Sequence, residues 1–440
     1  MNERLYRILV PIFLALSLGV SGCSAGPSPL TPEQKRLNLE SFDQVWTTVN
    51  EKHFDTTFGG VDWPAVRAEL RPKMEQAATM AEARGILRDM LSRLDLSHFN
   101  IISAELYENI DGPAKAGDAD GATGLDVRVV DNAALVTAVA EGTPAEAAGI
   151  RPGWEILAID GEDIPQLLPP IAEEYKDAAK CEYYLVTAVK SRLRGAIGDS
   201  ITVLFLDGDS SRVETIIPLA QRPGKKVIFG DMPPFYLTTK IDTLPDNVGY
   251  FAFSCFLDPV VLMTAFNGAM QTFMNSPGLI IDLRGNPGGM AMIGMGMAGW
   301  LVPEKNLYLG TLSTRGTQLR LVLNPRAQVF AGPVAVLVDG LSGSSSEILA
   351  GGLQDIGRAR IFGSRTVGAA LPSMFTRLPD GDGFQYAFAD YVSAGGRVLE
   401  GRGVIPDVEV VLSRQALLAG HDPVIDAARQ WVAEQNQRKE

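Results

Sequence analysis

The stretch Val334–Ile348 constrains the fold more than any other part of the chain. Val334-Ala335-Val336-Leu337-Val338 is a short apolar run, Asp339-Gly340 is a turn, and a helix is expected from about Ser344 to Ile356. The same alternation begins earlier. Val248 to Phe253 reads as a strand, Pro259 to Met274 as a helix, and Leu279 to Leu283 as a strand bounded by turns. Strands alternating with helices from about residue 240 predict a layered α/β domain. A serine at a strand–turn–helix junction exposes its hydroxyl at the sheet edge, where N–H groups opening the helix can stabilise an oxyanion. The spacing fits a capping box equally well, with a serine three residues before Glu347. Both readings can hold, because several serines are present.

At 440 residues the chain has room for two to four domains. Its hydrophobic content of 46% and charged content of 21% exclude wholesale disorder and fibrous architecture. The net charge of −13 (39 − 52) offers no basic footprint, so nucleic acid is not an expected partner. Only three histidines occur, His53, His98 and His421, so histidine chemistry must use one of them. Three cysteines cannot build a disulfide scaffold, and the sequence does not show that Cys181 and Cys255 meet.

Residues 1–22 read as an address. Arg4 and Arg7 precede an apolar run from Ile8 to Val20 that is short for a bilayer span, and Val20-Ser21-Gly22-Cys23 follows. This resembles a bacterial lipoprotein signal, which implies lipidation of Cys23 and a flexible tether over 23–36. Ser24 rather than Asp after the cysteine resembles the Gram-negative sorting pattern for the outer membrane, facing the periplasm.

Residues 37–110 are expected to form an N-terminal helical domain. Phe42, Val45, Trp46 and Val49 recur at helical spacing, and Asp62-Trp63-Pro64 opens a second helix. His53, flanked by charge, reads as a solvated surface residue. After a Gly/Asp/Ala-rich loop, residues 118–220 carry short strands: Leu125 to Val130, Ala134 to Val139, Ile201 to Leu206 and Val213 to Leu219. Thr143-Pro144-Ala145 through Gly149-Ile150, then Gly153 through Asp160-Gly161, resemble the "SPA-x-x-AGL-x-x-GD-x-I-x-x-ING" run of PDZ domains in bacterial proteases. Thr143 and Trp154 depart from that run, and Pro165 to Arg194 reads as an insertion. The resemblance implies peptide capture by strand addition, with backbone N–H groups near Gly124 and Leu125 meeting a terminal carboxylate.

Two further pieces carry chemistry. Leu279 through Asp282-Leu283-Arg284-Gly285-Asn286-Pro287-Gly288-Gly289 is a strand running into a Pro-Gly-Gly turn, where glycine permits close approach of the backbone to a ligand. With Ser342 to Asp355, Gly363 to Gly368 and Gly403-Val404-Ile405-Pro406-Asp407, it resembles the C-terminal processing peptidase and tricorn core protease family of serine peptidases. That family carries "DLR-x-N-x-GG", "S-x-S-x-SE-I-x-A-x-x-x-QD", "G-x-x-T-x-G" and "G-x-x-PD". The resemblance spans roughly 35–430. It implies an inserted PDZ-like domain and a layered α/β (crotonase-like) peptidase core over 221–435. It also implies Ser344 as nucleophile, and an oxyanion hole from Gly288 or Gly289 with the Ser345 N–H.

One departure selects the mechanism. Lysine-dependent members carry Lys directly after "T-x-G", but here that position is Ala369, and no lysine occurs between Lys305 and Lys439. The tricorn-like branch uses histidine as base with a supporting serine and a late glutamate. By resemblance these are His98, Ser97 and Glu400. Serine needs such a base to take its proton as attack occurs. His421 reads as part of a helix start. Gly294-Met295-Gly296-Met297-Ala298-Gly299 fits G-x-G-x-x-G, but it lies past the strand end, so helix packing through small residues is the better reading. Neither cofactor nor metal motif is expected. The functional expectation is a serine endopeptidase acting on extended polypeptides. The rival is a non-catalytic binder of peptides or apolar ligands on the same scaffold, motivated by Ala369.

Overall fold

The computed structural model describes residues 29–104, 120–176 and 178–438. The expected signal peptide, the Cys23 lipidation site and most of the loop after Asp111 lie outside the described residues.

The alternation read from Val334–Val338 builds the central sheet. Six strands lie in the order Thr239–Thr243, Gly249–Phe253, Leu279–Asp282, Val334–Val338, Arg360–Gly363, Val408–Glu409. The first pair is antiparallel and the rest are parallel. All five residues of Val334–Val338 are buried. Val334, Val336 and Val338 pack into a core with Phe266 and Leu353, from helices Pro259–Phe273 and Ser345–Asp355. Ala335 and Leu337 point the other way, onto Val424, Ala428 and Val432 of helix Pro423–Gln437. Side chains alternate across a strand, so covering both sheet faces requires the continuous apolar run seen here.

Around this sheet lie two three-stranded sheets whose strands carry no clear local signal in the sequence. One joins Leu307–Thr314 to Gln318–Leu323 and Ala389–Ser393. The other joins Asn100–Ile102, Gly383–Ala387 and Ser373–Arg377. The second sheet changes the domain picture. Helices Pro32–Lys52, Trp63–Gln76 and Met80–Ser92 form, each with a side-chain N-cap from Thr31, Asp62 or Thr79. Their core, however, also contains Leu371, Leu378, Phe384 and Ala387. A bidentate pair, Arg84 Nη2–Asp382 Oδ1 at 2.7 Å and Nε–Oδ2 at 2.8 Å, is buried between them. The N-terminal helices therefore pack on the C-terminal half and share its core.

His53 is a correction. It is 1% exposed, with its ring stacked on Phe54 and Phe99 and tilted against Phe58, and burial pushes its pKa down. Its charged chain neighbours misled the reading, because the Phe99 ring that covers it comes from far along the chain.

Residues 121–221 form a separate module. An antiparallel sheet runs Leu125–Val130, Ala133–Val139, Glu155–Ile159, Ser200–Leu206, Arg212–Pro218. The expected Asp160-Gly161 hairpin turn is present, with both residues at positive φ. The stretch read as an insertion is instead part of the module's core. It forms helices Ile164–Tyr175 and Cys181–Arg192, which bury Ile164, Leu168, Leu185 and Val189 against the sheet. Cys181 and Cys255 are both free thiols. Among the described residues no helix is long and apolar enough to cross a membrane.

Candidate active site

Strand Val334–Val338 ends at a tight turn before helix Ser345–Asp355, and the run of serines occupies that turn. Three of the four hydroxyls are committed to the backbone. Ser342 Oγ donates to Leu283 O at 2.7 Å, Ser345 Oγ to Gly289 O at 2.7 Å and Ser346 Oγ to Asn286 O at 2.8 Å. Ser344 is the half-exposed member, and it adopts φ 52°, ψ −115°. A non-glycine residue held there stores roughly 1–3 kcal/mol of backbone strain. The expected capping box with Glu347 is also formed, so the two readings of this serine coexist.

The Pro-Gly-Gly turn lies directly against Ser344. A Cβ on Gly288 would lie 2.7 Å from Ser344 Cβ and 2.8 Å from Ser345 N, so only glycine fits. Asn286 holds this turn in place: its Nδ2 donates to Phe253 O and its Oδ1 accepts the Gly288 N–H at 2.9 Å. That bond corrects the oxyanion expectation. The Gly288 N–H is already occupied, so Gly288 supplies close approach, and of the expected donors Gly289 and Ser345 remain as candidates. Ser345 is closely packed by Ala291, Gly294, Met295, Leu309, Ile348 and Leu349, with no space between them for a water molecule.

The second cluster comes from the opposite end of the chain. Past helix Met80–Ser92 the backbone turns through Asp95 and His98, both at positive φ, and enters strand Asn100–Ile102. Ser97 Oγ lies 2.6 Å from His98 Nδ1 and donates to Glu400 Oε2 at 2.8 Å. Glu400 Oε1 accepts the Ser97 N–H at 2.7 Å, and Oε2 also accepts the Ala370 N–H at 3.0 Å. A hydroxyl has one proton. Because Ser97 gives it to Glu400, it accepts from His98, which places the imidazole proton on Nδ1 and leaves Nε2 basic. Burial pushes Glu400 up and the His98 imidazole down to about 4.

The 366–370 segment connects the two clusters. Ala369 O accepts the Ser344 N–H at 2.8 Å, while the next residue's N–H reaches Glu400. Position 369, where the resemblance would place a lysine, thus lies at the backbone of Ser344. Among the described residues no hydrogen bond joins His98 to Ser344. Nucleophile–base pairs are often loose without substrate and tighten on binding. His421 is exposed at the start of the last helix, 3.4 Å from Asp426, away from both clusters. Gly294 and Gly296 lie inside helix Ala291–Ala298, where Gly294 packs toward Phe256 and Leu349, as expected for helix packing. No group of potential metal ligands forms among the described residues.

In the inserted module, Gly124 has φ 90° and packs on Thr143, but the Leu125 N–H turns inward to Thr123 Oγ1 at 3.2 Å. Leu125 is therefore not a free donor for a peptide carboxylate in this state. The module is locked to the peptidase core by buried charge. Arg128 Nε contacts Asp339 Oδ2 at 2.6 Å, and Glu182 accepts from Gly340 N–H and Ser364 Oγ. Burial and the Asp339 charge push Glu182 up to about 7. The Glu347 carboxylate, fully buried beside Ser344, is the main residue that sequence reasoning left without a role beyond capping. Its place in the serine motif was the available signal.

Comparison with known proteins identifies the chain as a serine-type peptidase. The profile described as Peptidase family S41 matches residues 247–410, and that of the Tricorn protease C1 domain matches 37–92. It is 29% identical over 416 residues to a carboxyl-terminal-processing protease of Synechocystis sp., covering 93% of this chain and 89% of that one. It is 26% identical to carboxyl-terminal-processing peptidase 3, chloroplastic, of Arabidopsis thaliana, covering 93% and 78%. Its fold is similar to that of the photosystem II D1 C-terminal processing protease, with TM-score 0.55 and 24% identity over 88% of this chain and 95% of that one.

Proposed function

We propose that the chain is a lipid-anchored serine endopeptidase, attached through Cys23 to the outer membrane and facing the periplasm, that cuts extended polypeptides through an acyl-enzyme. Ser344 Oγ attacks the scissile carbonyl carbon, and His98 Nε2 takes the hydroxyl proton. The carbonyl oxygen becomes an oxyanion facing the Gly289 and Ser345 N–H groups. His98 then returns the proton to the leaving amine, and water repeats the cycle on the ester. Ser97 and Glu400 hold the imidazole tautomer and stabilise the imidazolium as it forms. The relatives named for carboxyl-terminal processing favour substrates cut near their C-termini. The module over 118–220 is read as PDZ-like, because strand Leu125–Val130 lies at the sheet edge beside helix Cys181–Arg192.

The observation that carries this reading is Ser344, the one hydroxyl of the serine run that donates to no backbone carbonyl, held in a strained turn against Gly288. Fluorophosphonate labelling and peptide hydrolysis test it. Ser344→Ala should abolish both, whereas Ser346→Ala, whose hydroxyl is buried against Asn286 O, should retain activity. Wild-type labelling of Ser344→Ala would refute the assignment.

A further inference from the structure

The Glu347 side chain is 0% exposed, and no charged partner accompanies it. It instead collects four donors. Oε2 accepts the Ser344 N–H at 3.1 Å and the Ala369 N–H at 2.9 Å. Oε1 accepts the Thr366 hydroxyl at 2.5 Å and the Gly368 N–H at 2.8 Å. Direction is fixed at Thr366 as well: its Oγ1 accepts the Val404 N–H at 2.7 Å, so its one proton goes to Glu347. A carboxylate offers about four lone-pair sites, and here all four are used.

These bonds link two parts of the proposed machinery that do not touch. On one side they hold the backbone of Ser344, whose strained φ/ψ persists only if its surroundings enforce it. On the other they fix residues 366–369. The following N–H, that of Ala370, binds the same Glu400 oxygen that receives the Ser97 proton. Gly368 O also accepts the Gly401 N–H at 2.9 Å, which pins the Glu400 turn to the same segment.

We propose that Glu347 is a positioning residue that sets the distance between nucleophile and base, acting through the 366–370 segment onto Glu400, Ser97 and His98. No isostere replaces it. A glutamine has one carbonyl oxygen and one NH₂, and in either orientation the NH₂ faces at least one backbone N–H: Gly368 in one, Ser344 and Ala369 in the other. Thr366 supplies the only side-chain donor in the set, so its hydroxyl belongs to the same device. This inference rests on the Ser344–His98 reading.

The test separates hydrogen bonding from packing at Thr366. Thr366→Val keeps the shape and removes the hydroxyl, whereas Thr366→Ser keeps the hydroxyl and removes a methyl. Steady-state hydrolysis of a quenched fluorescent peptide is measured per mole of folded protein, with near-UV circular dichroism giving the folded fraction. Thr366→Val is expected to lower kcat about tenfold with KM within about twofold, and Thr366→Ser to stay within about threefold of wild type. Glu347→Gln is expected to lose on the order of a hundredfold or more in kcat. The opposite order at Thr366, Val active and Ser impaired, indicates packing alone and overturns the inference, as does wild-type kcat in Glu347→Gln. Fluorophosphonate labelling of Ser344→Ala, run alongside, separates the two failures. If that variant labels normally, the nucleophile reading has failed and this inference falls with it. If it does not label, a negative result at Thr366 and Glu347 counts against the inference alone.

Discussion

Ser97→Ala removes one oxygen and, on this geometry, the only support of the His98 tautomer. The hydroxyl accepts from Nδ1–H at 2.6 Å and donates to Glu400 at 2.8 Å. Glu400 keeps two partners in the variant, the backbone N–H groups of residues 97 and 370, so its turn should hold its place. The loss falls on the imidazole. A buried donor left without a partner costs about 1–3 kcal/mol. The ring escapes part of that cost by moving its proton to Nε2, the nitrogen that must stay basic to accept the serine proton. At about 1.36 kcal/mol per decade, the expected loss in kcat is roughly 5- to 150-fold, with KM within about twofold because no substrate contact is removed. Hydrolysis of a quenched peptide, together with the rate of fluorophosphonate labelling, measures both quantities. A kcat within twofold of wild type would show that Ser97 does not orient the base. A raised KM at unchanged kcat would show that it contacts substrate instead.

Three further outcomes follow from the titrating groups and the N-terminus. A base must be neutral to accept a proton. Because desolvation holds His98 down at about 4, the acid limb of kcat should lie well below the ordinary histidine value of about 6.5; a limb at 6.5 or above would contradict that downward shift. Glu182 has its folded pKa raised to about 7, so the folded state binds more protons than the unfolded one between about 4.5 and 7, and the module's docking should weaken as pH rises through that window. Glu182→Gln keeps an oxygen acceptor for Gly340 and Ser364 and removes the repulsion from Asp339, so it should raise Tm at pH 8 and leave it unchanged near pH 4; equal Tm at pH 8 would refute this. Cys23→Ser should abolish lipid labelling and shift the protein out of the membrane pellet, and unchanged labelling would reject the anchor.

Local signals carried far along this chain where one short segment satisfied its own requirements. Val334–Val338, Leu125–Val130 and the start of helix Trp63–Gln76 lie where composition and capping residues placed them. Ser97, His98 and Glu400 were chosen by resemblance, and the geometry brings them together across 303 positions. The misses share one cause, partners distant in sequence. His53 is buried by Phe99, and the hairpin Leu307–Thr314/Gln318–Leu323 gains its third strand only from Ala389–Ser393. Helices 164–175 and 181–192 looked like an excursion because nothing local shows which sheet they cover. The occupied Gly288 N–H could not be foreseen, since the Asn286 side chain that takes it is placed by Phe253.

The strand that follows the base has a temporal consequence. Asn100–Ile102 finds its only paired strand at Gly383–Ala387, and Glu400 lies later still. A chain emerging N-terminus first therefore carries His98 and Ser97 for about three hundred residues without Glu400, while the Ser342–Ala370 segment is already made. Pairings of such long sequence separation form late. On the proposed Ser344–His98 mechanism, a polypeptide that has not yet reached Glu400 is expected to be proteolytically silent. A fragment ending between Ala370 and Leu399 should carry the serine motif and its 366–370 support and still be inert.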